Sequence, residues 1–198
     1  APAFAIEQVI EPKVLGEFLG RASAGRIATS PAVRALLDRA GTVAIGQLEV
    51  PDTMAAESPA VAFFFEGIRL LAGKKPGPAA DAFRRSLRAA SDFYPAMVYL
   101  GACFAASGQE KEAAGAWRTA LIKEGDAIGL HLLLVDSLLR QGRGDLALEA
   151  VERARLRWPD DDGLKRRFVT TAVTVGRAAE ALLVVDDLVQ RQADDEPL

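Results

Sequence analysis

The stretch "GACFAASGQEKEAAGAW", residues 101–117, decides how the rest of the chain is read. It carries helix-forming alanine and glutamate, yet Gly101, Gly108 and Ala113 interrupt it at fixed places, and Phe104 and Trp117 supply bulk. Moved back by about 34 residues, the pattern meets Gly67, Leu70, Ala79, Phe83 and, beyond the quoted stretch, Ser86 opposite Ala120. Moved forward by the same step, it meets Leu138, Gly142, Ala147, Val151 and Ala154, and a second step gives Ala172, Gly176, Ala181, Val185 and Leu188. Four units follow without gaps, at about 60–93, 94–127, 128–161 and 162–195.

Each unit reads as two antiparallel helices, A and B. In the second unit the helices are predicted from about Tyr94 to Ser107 and from about Gln109 to Ile122, with Gly108 between them. A glycine just past a helix end takes the left-handed backbone that closes the helix without a Cβ penalty. Gly142 and Gly176 hold the same place, whereas the first unit has Lys74 there, with Gly73 beside it to serve after a shift of one. Small residues, Gly67 and Gly101 on helix A and Ala79, Ala113, Ala147 and Ala181 on helix B, let paired helices approach. Phe83, Trp117, Val151 and Val185 are expected to fill the space between neighbouring units. In the last two units Val135 and Val169 replace the helix-A glycine, which predicts wider or offset packing.

This pattern resembles the tetratricopeptide repeat (TPR) family over about residues 58–192. Leu100, Gly101, Phe104, Gly108, Ala113, Trp117 and Ala120 stand at signature places, and "RWPDDD" resembles the family's proline-containing junction. The early helix-A aromatic is Phe63 in the first unit but Met97, His131 and Lys165 later. The resemblance implies an all-α, right-handed α-α superhelical solenoid whose A helices line a concave groove. A second resemblance, carried by "VIEPKVLGEFLGRAS" and the 99–127 stretch, is to the repeat region downstream of von Willebrand factor A-type domains in bacterial proteins. It implies an exported or periplasmic protein; without it the compartment is cytoplasmic or open.

Residues 1–57 lie outside the register and read as an extended apolar lead followed by a helical cap. Pro12 opens one helix, and Ser30 with Pro31 starts another as N-cap and first residue. A solenoid end needs cover, because each unit buries its face only against a neighbour. The lead could instead insert into the groove.

Composition narrows function. The chain has 198 residues, half hydrophobic, net charge -3, no asparagine and one cysteine, Cys103. The absence of a basic stripe speaks against nucleic acid, and no apolar run of about twenty residues suggests a membrane span. The lone His131 reads as a packing residue on helix A. Asp160, Asp161 and Asp162 read as an inter-repeat junction that caps the next helix, Asp186 and Asp187 as exposed helix face, and "GKKPGP" (73–78) as a turn rather than a phosphate loop. No catalytic residue, metal site or cofactor is expected.

Within the resemblance, the groove would be lined by Val61, Phe64, Ile68 and Leu71 in the first unit and Val98, Ala102 and Ala105 in the second. Leu132, Asp136, Leu139 and Arg140 would follow in the third, with Arg166, Thr170 and Val173 in the fourth. An apolar groove suits a protein or peptide ligand, so a non-catalytic interaction scaffold is expected. The alternatives are a groove filled by the chain's own lead or by a neighbouring domain, the repeats then serving as a structural arm. The apolar surplus of the last helix, Leu182 to Val189, leaves a homodimer there open.

Overall fold

The computed structural model describes residues 5–23, 30–124 and 127–195. The described residues form helices joined by short turns, with no strand among them. In chain order they are α1 (Ile6–Val9), α2 (Pro12–Ser23), α3 (Pro31–Ala40), α4 (Met54–Glu57), α5 (Pro59–Ala72), α6 (Pro76–Ala89), α7 (Tyr94–Ala106), α8 (Glu110–Lys123), α9 (Ile128–Arg140), α10 (Gly144–Arg157), α11 (Asp162–Thr174) and α12 (Ala178–Asp195); a single 3-10 turn, Ile45–Gln47, precedes α4. Two compact units, each holding two of the repeats, divide the chain, and from here the first unit is the residues up to Ala127 and the second unit the residues from Ile128 onward. Four A–B hairpins, α5/α6, α7/α8, α9/α10 and α11/α12, begin close to the expected starts.

The turns repeat the same geometry. Lys74, Gly108, Gly142 and Gly176 have φ of 57°, 75°, 71° and 82°. The residue after each donates back to the sixth residue along: Lys75 to Leu70 at 2.9 Å, Gln109 to Phe104 at 2.9 Å, Arg143 to Leu138 at 2.9 Å and Arg177 to Ala172 at 2.8 Å. This is the Schellman closure, which satisfies the last carbonyls of helix A. Gly73 does not substitute in the first hairpin: its φ is -76°, and Lys74 itself takes the left-handed conformation.

The small-to-large pairing is also visible, with one correction. A Cβ on Gly67 would come 2.7 Å from Phe83 Cε1, and one on Gly101 would come 2.5 Å from Trp117 Nε1. Trp117 is fully buried and its indole N–H donates to Val98 O at 2.9 Å. Phe83 and Trp117 therefore lie on the glycine of their own helix A and not simply between units. In α9/α10 the same two register places hold Val135 and Val151, both fully buried. Here the helix-A residue is larger and the plug smaller than in the two hairpins before. Ala79, Ala113, Ala147 and Ala181 are buried in all four hairpins.

The first unit also holds the N-terminal helices. Ser30 Oγ accepts from Val33 N at 3.2 Å with Pro31 at the first helical position, as expected of that start. Gly16 and Gly41 let α2 approach the turn after α3, since a Cβ on Gly16 would come 2.6 Å from Gly41 Cα. Residues 6–9 of the lead are a helical turn rather than extended, and α1 touches both α5 and α7. Residues 1–4 of the lead lie outside the described residues.

Candidate functional site

In the first unit, the A-helix side is covered by the chain itself. Tyr99 Oη donates to Val9 O at 2.6 Å, Tyr94 Oη donates to Phe18 O, and the Phe18 and Tyr99 rings meet edge-on at 6.1 Å. Lys74 reaches Glu7 at 3.3 Å across the surface. The backbone hydrogen bond at Glu7, helped by the Lys74 ammonium, holds the Glu7 carboxyl below its ordinary value. Burial raises the Tyr99 hydroxyl well above its usual range, so it stays a proton donor. Val61, Phe64, Ile68, Leu71, Val98, Ala102 and Ala105, expected to line an open groove, are all buried. The open groove is thus corrected for these seven positions. The reason is physical: the surface is apolar, and α1 and α2 bring Val9, Leu15, Phe18 and Leu19, all buried, to this unit's core. Sequence reading passed over Tyr94 and Tyr99. Their signal was two phenols in an otherwise apolar helix, each of which must find an acceptor when buried.

The second unit presents a different face. Leu132, Asp136, Leu139 and Arg140 on α9 are partly exposed, and Arg166, Thr170 and Val173 on α11 are exposed. Arg167 joins Asp136 at 2.6 Å, so the charges of this face are partly met internally. Thr170 Oγ1 donates to Arg166 O at 3.1 Å, one turn back on its own helix. The face is mixed, with aliphatic patches between charges.

Several side chains away from that face have defined partners. His131 meets the Trp158 ring edge-on at 5.4 Å. Asp161 caps α11 by accepting from Leu164 N at 2.7 Å. Asp187, expected as exposed helix face, is instead the counter-ion of Lys165, a lysine only 4% exposed that takes the early helix-A aromatic's place. Cys103 is buried, and desolvation pushes its thiol up to about 12, away from nucleophilic use at neutral pH. No group of three potential metal ligands occurs among the described residues, and none of their helices is long and apolar enough to cross a membrane.

Stacked A–B hairpins with a Schellman turn at each A–B junction define an all-α, TPR-like helical protein. Solved structures of MamA share this fold. MamA MSR-1 matches with a TM-score of 0.58 at 18% identity, over 95% of this chain and 99% of that one. Two MamA AMB-1 structures match with TM-scores of 0.55 and 0.57 at 17% and 18% identity, over 88% and 87% of this chain and 95% and 94% of theirs. At such identity the likeness is one of fold. No protein-family model and no curated protein matches the chain. The von Willebrand-type resemblance gains no support from these neighbours.

Proposed function

We propose that this protein is a non-catalytic scaffold that takes a protein or peptide on the α9–α11 face of its second unit. One observation carries the reading: the A-helix face is open there, at Leu132, Leu139 and Val173, whereas Phe64, Leu71 and Ala105 at matching register places in the first unit are buried. Partly apolar faces with a charged rim suit an amphipathic segment. Support for the absence of catalysis comes from the lone histidine packing on Trp158 and the lone thiol held neutral by burial. The net charge of -3 argues against a nucleic-acid partner.

The structural-arm alternative draws its support from the exposed apolar residues of α12. The test compares partner capture by the full chain, by a Leu139→Glu/Val173→Glu variant, and by a chain lacking residues 1–11. Capture lost in the double variant with helical content retained supports the reading. Capture indifferent to both substitutions overturns it, and new capture after the N-terminal deletion moves the site to the first unit.

A further inference from the structure

Where α6 packs on α7, and where α10 packs on α11, positions two repeats apart come together in equivalent places. The two places are closed differently. In the second unit Gly144, the first residue of α10, lies against the end of α11: a Cβ there would come 2.6 Å from Val175 Cγ1. Beside this contact Arg177, just past the turn that closes α11, reaches Glu152 of α10 at 3.1 Å and also pairs with Glu180. An aliphatic side chain and a cation between two carboxylates fill the place.

In the first unit the same place is a cleft of about 470 Å³. Pro76 stands for Gly144, Ser107 for Val175, Arg84 for Glu152 and Gln109 for Arg177. All four line the cleft, and Pro78 and Phe104 add apolar wall. Ser107 is smaller than valine, and its hydroxyl turns back to donate to Cys103 O at 2.9 Å. Arg84 has one carboxylate, Asp81 at 2.8 Å, and its guanidinium carbon lies 5.7 Å from the Phe104 ring centroid. These contacts orient the guanidinium, and no other hydrogen bond engages it among the described residues. The cation stands on the helix rather than on the turn, and the turn offers it the neutral Gln109 in place of a second carboxylate.

We propose that this cleft takes an acidic side chain of a protein partner, a glutamate or aspartate next to an apolar residue. The carboxylate pairs with the open edge of Arg84 and accepts from the Gln109 amide, while the apolar neighbour lies on Pro76, Pro78 and Phe104. A guanidinium carries five N–H donors in a fork, so it can hold Asp81 and a second carboxylate together, as Arg177 holds two in the second unit. The apolar wall, and a volume far larger than a carboxylate, select a peptide segment over a small acid. A chain of net charge -3 does not attract acids in general, so a preference for one is local to the cleft. The site belongs to the first unit and stands independently of the α9–α11 face.

The test tethers matched peptides at the rim of the cleft. The full chain carrying Ser107→Cys, with Cys103→Ala to leave one thiol, is equilibrated in a glutathione buffer with equal amounts of an acetyl-Cys-Glu-Leu-amide peptide and its glutamine twin. The pair is repeated with one and with two glycines after the cysteine, and intact-protein mass spectrometry counts the two mixed disulfides. The expected result is a preference of about threefold for the glutamate peptide at one spacing, as an exposed ion pair supplies. It should vanish with Arg84→Gln and in urea, and persist with Arg88→Gln, an exposed arginine of α6 outside the cleft. Leu139→Glu/Val173→Glu should leave it unchanged, so failure here and failure of the scaffold reading are separable. Arg84 and Ser107 are exposed, so these variants keep the fold, which circular dichroism checks. Equal adducts at every spacing, a preference indifferent to Arg84→Gln, or one lost equally with Arg88→Gln overturns the proposal. The same preference for 3-mercaptopropionate over its amide also overturns it, by making a small acid the occupant.

Discussion

Gly101→Ala should destabilise the first unit, although the same change at an ordinary helical glycine stabilises. The added methyl would come 2.5, 2.8 and 2.9 Å from Nε1, Cδ1 and Cε2 of Trp117, all atoms of one rigid ring. That ring is fully buried and tied to Val98 O at 2.9 Å, so it cannot swing aside without breaking the bond. Overpacking costs roughly 1–3 kcal/mol, and leaving the indole N–H poorly paired costs about 1 kcal/mol more. Against this stands about 1 kcal/mol gained from alanine's helix propensity. The net expectation is a loss of about 2 kcal/mol, with a lowered urea midpoint at unchanged m-value. The assay is urea unfolding followed by circular dichroism and by Trp117 fluorescence in a Trp158→Phe background. Gly115→Ala is the control, because nothing lies within 4 Å of a Cβ there; it should stabilise by about 0.5–1 kcal/mol. Gly101→Val with Trp117→Val, which reproduces the Val135/Val151 pair, should cost less than the sum of its single changes. Stabilisation by Gly101→Ala equal to that by Gly115→Ala, or strict additivity in the double variant, would refute the small-to-large pairing.

The left-handed turns give paired expectations in thermal denaturation. Gly108→Val should cost roughly 1–2 kcal/mol from backbone strain alone, since no neighbour lies near a Cβ there, whereas Lys74→Gly should gain about 0.5 kcal/mol after loss of the exposed Glu7 pair and added unfolded-chain entropy. Cys103 should resist a thiol reagent at pH 8 in the folded protein and react once urea unfolds it; rapid reaction in the native state would place the thiol at the surface. Because folding raises its value toward about 12, the thiol's contribution to stability is complete below the ordinary thiol value and falls as pH climbs above it. Asp187→Ala should lower the melting temperature more than Lys165→Met, because the first leaves a buried ammonium unpaired and the second removes charge with volume kept. The reverse order would show that the pair does not hold Lys165 inside.

The sequence alone determined the repeat. Glycine at 108, 142 and 176 marked the left-handed closures, and Ala113, Ala147 and Ala181 marked the close helix pairs, because backbone sign and local steric room leave a residue-level trace at a fixed spacing. The helical starts at Pro12 and Ser30 were legible for the same local reason. Three features were decided only in three dimensions. Lys74 rather than Gly73 closes the first hairpin, since the Schellman register outweighs the lysine's strain. Asp187 serves Lys165 from another helix, a pairing with no local signature. Above all, the apolar A-helix face of the first unit is buried by contacts between Val9, Phe18, Tyr94 and Tyr99, residues about 76 to 90 positions apart. An apolar face says that it must be covered; which segment covers it depends on long-range packing that periodicity does not encode.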